Sequence, residues 1–96
     1  MKVTRSSGNV FEDVGFDRDE AESLRIRADL MIELSEFIRR KRLTQAQAAK
    51  LFGVSQPRVS DLVRGKIALF TIDTLVTMLA RAGRKVVVQT KPAKAA

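Results

Sequence analysis

Apolar residues recur every three or four positions between residues 17 and 41, which is the period of an α-helix with one buried face. The pattern predicts one long helix, beginning at Asp17 with Glu20 completing an acidic cap and running to about Lys41, with a break near Ala28 left open. The residues of this stripe are Leu24, Ala28, Met31, Leu34 and Ile38.

A second helical stripe lies between Thr71, a good N-cap, and Ala82, with Gly83 placed to end the helix. Its apolar positions are Ile72, Leu75, Val76 and Leu79. The pattern therefore predicts a further helix after residue 70 that packs one face on the core.

The two ends of the chain lack the helical period. Residues 1–16 are predicted to form an irregular arm whose apolar residues dock on the chain's own helices in preference to a partner. Val86, Val87 and Val88 within residues 84–90 favour a β-strand. A single strand needs a neighbour, so we expect pairing with a second protomer or a partner's sheet edge, the alternative being an extended tail over the core. Residues 91–96 are predicted to be a disordered basic tail.

Residues 44–66 (TQAQAAKLFGVSQPRVSDLVRGK) predict two short helices joined by a tight turn. Thr44 and Gln47 have the spacing of a capping box, and Gly53 suits the left-handed conformation that ends a helix. Ser55 is a second N-cap, and Pro57 lies in a first turn where a missing N–H costs little. So short a connection requires the helices to cross steeply, as in a helix-turn-helix.

The second of these helices predicts a surface that could read the edges of bases. Val59 and Leu62 belong to its buried side, and the opposite side is short and polar. The predicted base-reading residues are Ser55, Gln56, Pro57, Ser60 and Asp61, and the predicted phosphate contacts are Gln45, Arg58, Arg64 and Lys66. An ordinary helical hairpin with a solvated face is the alternative interpretation.

The charge distribution agrees with a nucleic-acid partner. The chain has 18 Lys and Arg against 11 Asp and Glu, a net charge of +7. Residues 1–23 hold three basic residues against six acidic ones, whereas residues 39–96 hold thirteen basic residues against two acidic ones. A basic block around a candidate reading helix is the electrostatic footprint of a protein that binds a polyanion, although charge alone leaves open a basic protein with another role.

Several function classes are disfavoured. The chain has no Cys and no His, so it lacks thiolate nucleophiles, imidazole bases and the usual zinc ligands, and we expect neither an enzyme nor a bound cofactor or metal. No stretch approaches the length of a membrane span. The N-terminus carries no hydrophobic signal segment, so a cytoplasmic protein is expected.

The motif TQAQAAKLFGVSQPRVSDLVRGK resembles the helix-turn-helix of the XRE family, the Cro and phage-repressor type. The wider string, with SSGNVFEDVGF before it and FTIDTLVTMLARAGRKVVV after it, resembles a subgroup similar to HigA-type antitoxins. The resemblance implies that Gln45 contacts the DNA backbone and that Ser55, Gln56, Pro57, Ser60 and Asp61 fall at reading positions, with Arg64 at their edge. Pro57 stands where repressors often have a polar reader.

The resemblance further implies a homodimer on a palindromic DNA operator and, for an antitoxin, a RelE-like toxin as partner and autoregulation of the operon. A repressor without a toxin partner is the alternative. The predicted fold is all-α, with four to five helices in residues 17–83, an irregular arm before them and a short C-terminal β-strand after them.

Overall fold

The computed structural model describes residues 9–93, and these residues contain α-helices and one short 3-10 turn but no β-strand. The predicted all-α architecture is confirmed for this part of the chain, whereas the predicted strand is wrong. The helices in chain order are α1 (Val10–Asp13), α2 (Arg18–Arg40), α3 (Gln45–Phe52), α4 (Gln56–Val63) and α5 (Ile72–Arg81), with the 3-10 turn at Ile67–Leu69 between α4 and α5.

Helix α2 is the longest helix of the described residues, and it runs without a break at Ala28. Its N-cap, Asp17, makes no side-chain capping hydrogen bond, so the predicted acidic cap contributes only its charge near the helix dipole. The helix ends at Lys41, and Arg42 then adopts a left-handed conformation with φ of 55°. The reversal lets the N–H of Leu43 donate to the carbonyl of Ile38 at 3.0 Å.

The core lies where α2, α4 and α5 meet, with α3 packed against α4 and α5. Its largest fully buried side chains are Phe52, Phe70, Leu34, Leu62, Leu75, Met78 and Val59. Every helix of the predicted helix-turn-helix contributes to this one cluster, so the cluster fixes how α3 and α4 cross. None of the helices within residues 9–93 has both the length and the apolar composition needed to cross a membrane.

The predicted irregular arm contains a helical turn, α1. The side chain of Asn9 accepts hydrogen bonds from the N–H groups of Phe11 at 2.9 Å and Glu12 at 3.3 Å, which gives this short segment an N-cap. Phe11 contacts Phe16 edge to face, with ring centroids 6.3 Å apart, and α1 packs on α2. Residues 1–8 of the predicted arm lie outside the described residues.

The described segment after α5 has no regular secondary structure, and no strand within residues 9–93 lies beside it to satisfy its amides. Gly83 turns the chain with φ of 80°, and the N–H of Arg84 donates to the carbonyl of Leu79 at 2.9 Å. Val86 packs against the core, whereas Val87 and Val88 are 82% and 81% exposed. The segment is therefore a tail that contacts the core through Val86 only, and residues 94–96 lie outside the described part.

Candidate nucleic-acid interface

The first helix of the candidate interface, α3, begins with the predicted capping box. The hydroxyl of Thr44 accepts from the N–H of Gln47 at 3.0 Å, and the side-chain carbonyl of Gln47 accepts from the N–H of Thr44 at 2.8 Å. These bonds satisfy two amide groups that a helix start otherwise leaves open. Gln45, a predicted phosphate contact, is the first residue of this capped helix.

The turn between α3 and α4 requires glycine at position 53. Gly53 has a φ of 74°, and a Cβ atom added there would overlap the guanidinium of Arg81. The N–H groups of Gly53 and Val54 both donate to the carbonyl of Ala49, at 2.9 and 3.0 Å. The chain therefore reverses within two residues and enters α4 through Ser55, whose hydroxyl accepts from the N–H of Arg58 at 3.3 Å.

Helix α4 has one buried side and one polar side. Val59 and Leu62 are 0% and 1% exposed and face the core. Successive residues of an α-helix are about 100° apart around its axis. On this basis the outward residues of α4 lie within a stripe about 140° wide, on the side roughly opposite Val59 and Leu62. The residues of this polar stripe are Gln56, Pro57, Ser60, Asp61 and Arg64.

The predicted base-reading residues are brought together at the start and along the outer side of α4. Ser55, Gln56 and Pro57 are exposed, and Ser60 and Asp61 are half-buried. The Ser55 hydroxyl already accepts the capping hydrogen bond, which leaves its O–H free to donate. The Asp61 carboxylate lies 3.9 Å from the ammonium of Lys66, so it would have to leave this ion pair to accept from a base.

The predicted phosphate contacts do not form one set. Arg64 and Lys66 are exposed just after α4, and Gln45 is half-buried at the start of α3. Arg58 differs because its guanidinium turns away from the polar stripe. It donates to the carbonyl of Leu69 at 3.0 Å and lies 5.4 Å from the centroid of the Phe70 ring.

Arg27 and the 3-10 turn that it contacts were not predicted from the sequence. The guanidinium of Arg27, on α2, donates to the carbonyls of Ile67 at 3.5 Å and Phe70 at 3.3 Å. The sequence does contain a feature that points to Arg27. This residue lies three positions after Leu24 and four before Met31, and so falls on the apolar stripe of α2. A charged residue on a buried stripe indicates a specific polar partner across the core.

Positive charge is concentrated in the part of the sequence that contains the polar stripe. Residues 39–66 contain eight basic residues and one carboxylate, that of Asp61. Besides Arg64 and Lys66, the exposed basic residues of this range are Arg39, Arg40, Lys41, Arg42 and Lys50. The described residues contain no group of carboxylates placed to hold a metal ion. A polar stripe within a basic surface can hydrogen-bond to base edges while neighbouring cations contact phosphates.

Comparison with known proteins finds matches among protein families and among solved structures. Residues 10–91 match a family described as "Helix-turn-helix domain". The chain is similar to a solved structure described as an XRE family transcriptional regulator, with 35% sequence identity and a TM-score of 0.70. That match covers 80% of this chain and 89% of the other. Among curated proteins no match was found.

Proposed function

Because the chain belongs to the XRE family of helix-turn-helix DNA-binding transcriptional regulators, we propose that it reads a specific DNA sequence with α4 in the major groove. One observation carries this proposal: the polar stripe of α4 lies opposite Val59 and Leu62, so the same helix is anchored in the core and open to a ligand. A major groove about 12 Å wide admits one α-helix with its side chains.

The chemistry of the stripe supports distinct roles for its residues. The amide of Gln56 offers both a donor and an acceptor, which matches adenine N7 and N6. Pro57 provides an apolar contact for a thymine methyl, and Asp61 can accept from cytosine N4 once it leaves Lys66. Ser55 and Ser60 are the remaining proposed readers, and Gln45, Arg64 and Lys66 are the proposed phosphate contacts.

We also propose that two copies bind a palindromic operator as a homodimer and repress transcription from it. The reading surface of one copy is a single two-turn helix, which spans only a few base pairs. Two copies related by a two-fold axis would double the contacts, with half-sites about one helical turn, ~34 Å, apart. The repressor role is supported by the resemblance of residues 44–66 to phage repressors.

The decisive experiment selects bound duplexes from a random pool and then titrates the Gln56→Ala variant against the selected sequence. We expect a loss of about 1–3 kcal/mol in binding free energy and a relaxed preference at one base position. Gln89→Ala is the matched control because Gln89 is also exposed but lies outside the helix-turn-helix. Equal affinities of Gln56→Ala and Gln89→Ala for the selected duplex would exclude Gln56 as a reader.

A toxin partner is a second candidate function, favoured by the surface opposite in charge to the interface. Residues 9–23 hold six carboxylates and one arginine. Beside them α1, α2 and α4 enclose an apolar groove of about 390 Å³, lined mainly by Phe11, Met31, Ile32, Val63 and Ile67. We propose that a small basic RelE-like toxin binds here, which would make the chain an antitoxin that autoregulates its operon.

This second proposal is tested with the product of the neighbouring gene. Co-purification of that protein with the chain, and loss of the complex in a Phe11→Glu variant that still binds the selected duplex, are the expected results. A complex that forms equally well with Phe11→Glu would move the contact elsewhere. Failure of any neighbouring product to bind would favour a repressor without a toxin partner.

A further inference from the structure

The turn that follows α4 is held by two arginines from different helices. Arg58 extends from α4 and Arg27 from α2, and their guanidinium groups donate to carbonyls at 67, 69 and 70. We name this pair the arginine clamp. The turn connects the C-cap of α4, Arg64, to the N-cap of α5, Thr71, so the clamp acts on the segment that sets how α4 lies on the core.

On α4, the side chain of Arg58 is fixed by two contacts at once. One is the 3.0 Å hydrogen bond to the Leu69 carbonyl. The other is a cation–π contact in which the guanidinium carbon lies 5.4 Å from the ring centroid of Phe70, a side chain that is 1% exposed. A planar guanidinium can satisfy both contacts in one orientation. In that orientation the charge of Arg58 is directed toward the core side of the turn and away from the polar stripe.

On α2, Arg27 occupies a position where an apolar side chain would pack. Its Nε is buried without a hydrogen-bond partner among the described residues. An unpaired buried N–H is costly, so the arginine is a poor choice for packing alone. Its terminal nitrogen nevertheless donates to two carbonyls of the turn, 40 and 43 residues further along the chain. These long-range bonds are what an apolar residue could not provide.

We propose that Arg27 and Arg58 are positioning residues for DNA reading, and that Arg58 does not bind phosphate. The clamp fixes the turn at residues 66–70, and through it the tilt of α4 and the backbone that carries Arg64 and Lys66. This inference rests on the proposed reading function of α4. It assigns to Arg58 a role different from the phosphate contact that its charge and location predict.

Salt dependence separates the two roles. Each phosphate contact contributes about 0.9 to the slope of log affinity against log salt concentration, because a counterion is released from the duplex. A positioning residue releases none, so its loss leaves that slope unchanged. It lowers affinity for the selected sequence and has little effect on binding to a shuffled duplex, where no base contacts are aligned.

The experiment titrates the full chain, Arg58→Met and Arg64→Met against the selected duplex and a shuffled one at several KCl concentrations. Methionine keeps the length of the side chain but removes its charge and its donors. For Arg58→Met we expect about tenfold weaker binding to the selected duplex, the size of one misaligned base contact, with an unchanged salt slope. For the matched control, Arg64→Met, we expect weaker binding to both duplexes and a slope smaller by about 0.9.

Arg58→Lys and amide exchange provide independent measurements. Lysine restores the charge but lacks the planar group that contacts the Phe70 ring and donates to the Leu69 carbonyl. Binding to the selected duplex should therefore stay weak in Arg58→Lys. If Arg58 held a phosphate, lysine would restore it. Exchange of the Leu69 and Phe70 amides, which donate to Lys66 and Ile67 within the turn, should accelerate in Arg27→Met and Arg58→Met while that of Gly53 does not.

Two results would overturn the clamp. Arg58→Met behaving like Arg64→Met in slope and on both duplexes would make Arg58 a phosphate ligand. Unchanged affinity for the selected duplex in both Arg27→Met and Arg58→Met would remove the positioning role. If the unmodified chain binds selected and shuffled duplexes equally, the proposed reading function fails first, and this is visible before any variant is compared.

Discussion

Two regions of the chain differ in charge, and we propose different partners for them. Residues 9–23, the acidic region, carry six carboxylates and one arginine, whereas residues 39–66 carry eight basic residues and one carboxylate. A DNA backbone is attracted to the second region and repelled by the first. We therefore expect the proposed DNA contact to involve the second region, with the carboxylates of the first kept away from the phosphates.

The long helix α2 also starts differently from the two helices of the helix-turn-helix. Helices α3 and α4 each begin with a side-chain hydrogen bond, from Gln47 N–H to Thr44 and from Arg58 N–H to Ser55. Helix α2 begins at Asp17 without such a bond. Local capping bonds therefore support both helices of the helix-turn-helix, residues 44–66. The start of α2 instead has its carboxylates near the helix dipole and its packing against α1.

The largest effect should come from the residue that connects the two regions. Leu62 is 1% exposed in the core and lines the groove beside Phe11. Leu62→Ala should lower the free energy of unfolding by about 2–5 kcal/mol because it leaves a cavity under α4. Chemical denaturation measures this loss, and DNA binding should weaken with it.

Phe11→Ala is the control on the acidic side, because Phe11 is only half-buried. It should cost less than Leu62→Ala and leave DNA binding intact. If Phe11→Ala were as destabilising, or weakened DNA binding as much, α1 would be part of the reading unit and the division into two regions would be wrong.

The helix-turn-helix could be predicted from the sequence because its determinants are local. Thr44 and Gln47, three residues apart, specify the cap, and Gly53 specifies the reversal. The C-terminal segment could not be predicted in this way. Three successive valines favour extended backbone, but a strand also needs a neighbour, which sequence pattern alone does not supply.

The role of Arg58 shows the same limit within the candidate site. Its charge and its place on α4 predict a phosphate contact, but its position around the helix directs it toward Leu69 and Phe70, eleven and twelve residues later. Arg27 donates to the carbonyl of Phe70, which lies 43 residues further along the chain. Such contacts depend on how helices pack, whereas the polar stripe of α4 depends only on helical period and burial.

A smaller effect is expected when the capped start of α3 is compared with the uncapped start of α2. Thr44→Ala removes the hydroxyl that accepts from Gln47 and should cost about 1 kcal/mol in stability. Asp17→Ala removes a carboxylate that accepts no capping bond and should cost only about 0.3 kcal/mol, through the helix dipole. Denaturant midpoints of the two variants, taken in one buffer, measure the difference.

This comparison includes a second control, Thr71→Ala, because the hydroxyl of Thr71 caps α5 by accepting from the N–H of Thr74 at 3.1 Å. Thr71→Ala should resemble Thr44→Ala. Should Asp17→Ala destabilise the chain as strongly as either threonine variant, the start of α2 would be as firmly capped as α3, and the contrast between α2 and the helix-turn-helix would disappear.

The smallest effect concerns the ion pairs of the acidic end. Arg25 donates to the Glu22 carboxylate at 2.6 Å and to that of Asp29 at 3.3 Å. The hydrogen bond from Arg25, aided by its charge and opposed by slight desolvation, lowers the pKa of Glu22 below its usual 4.5. Because the folded pKa is the lower one, the stabilisation is complete above pH 4.5 and is lost as the pH falls through the folded pKa.

The Glu22 and Arg25 side chains are 56% and 39% exposed, so solvent screens the pair. Glu22→Gln should therefore cost at most about 0.5 kcal/mol near neutral pH and nothing in acid, where the native carboxylate is itself neutral. Glu20 is an exposed carboxylate on the same helix. The control variant Glu20→Gln therefore distinguishes the general effect of removing a negative charge from the loss of the Glu22–Arg25 pair. A destabilisation by Glu22→Gln that persists in acid would show that Glu22 acts through packing, and the acidic end would then be fixed by contacts in addition to charge.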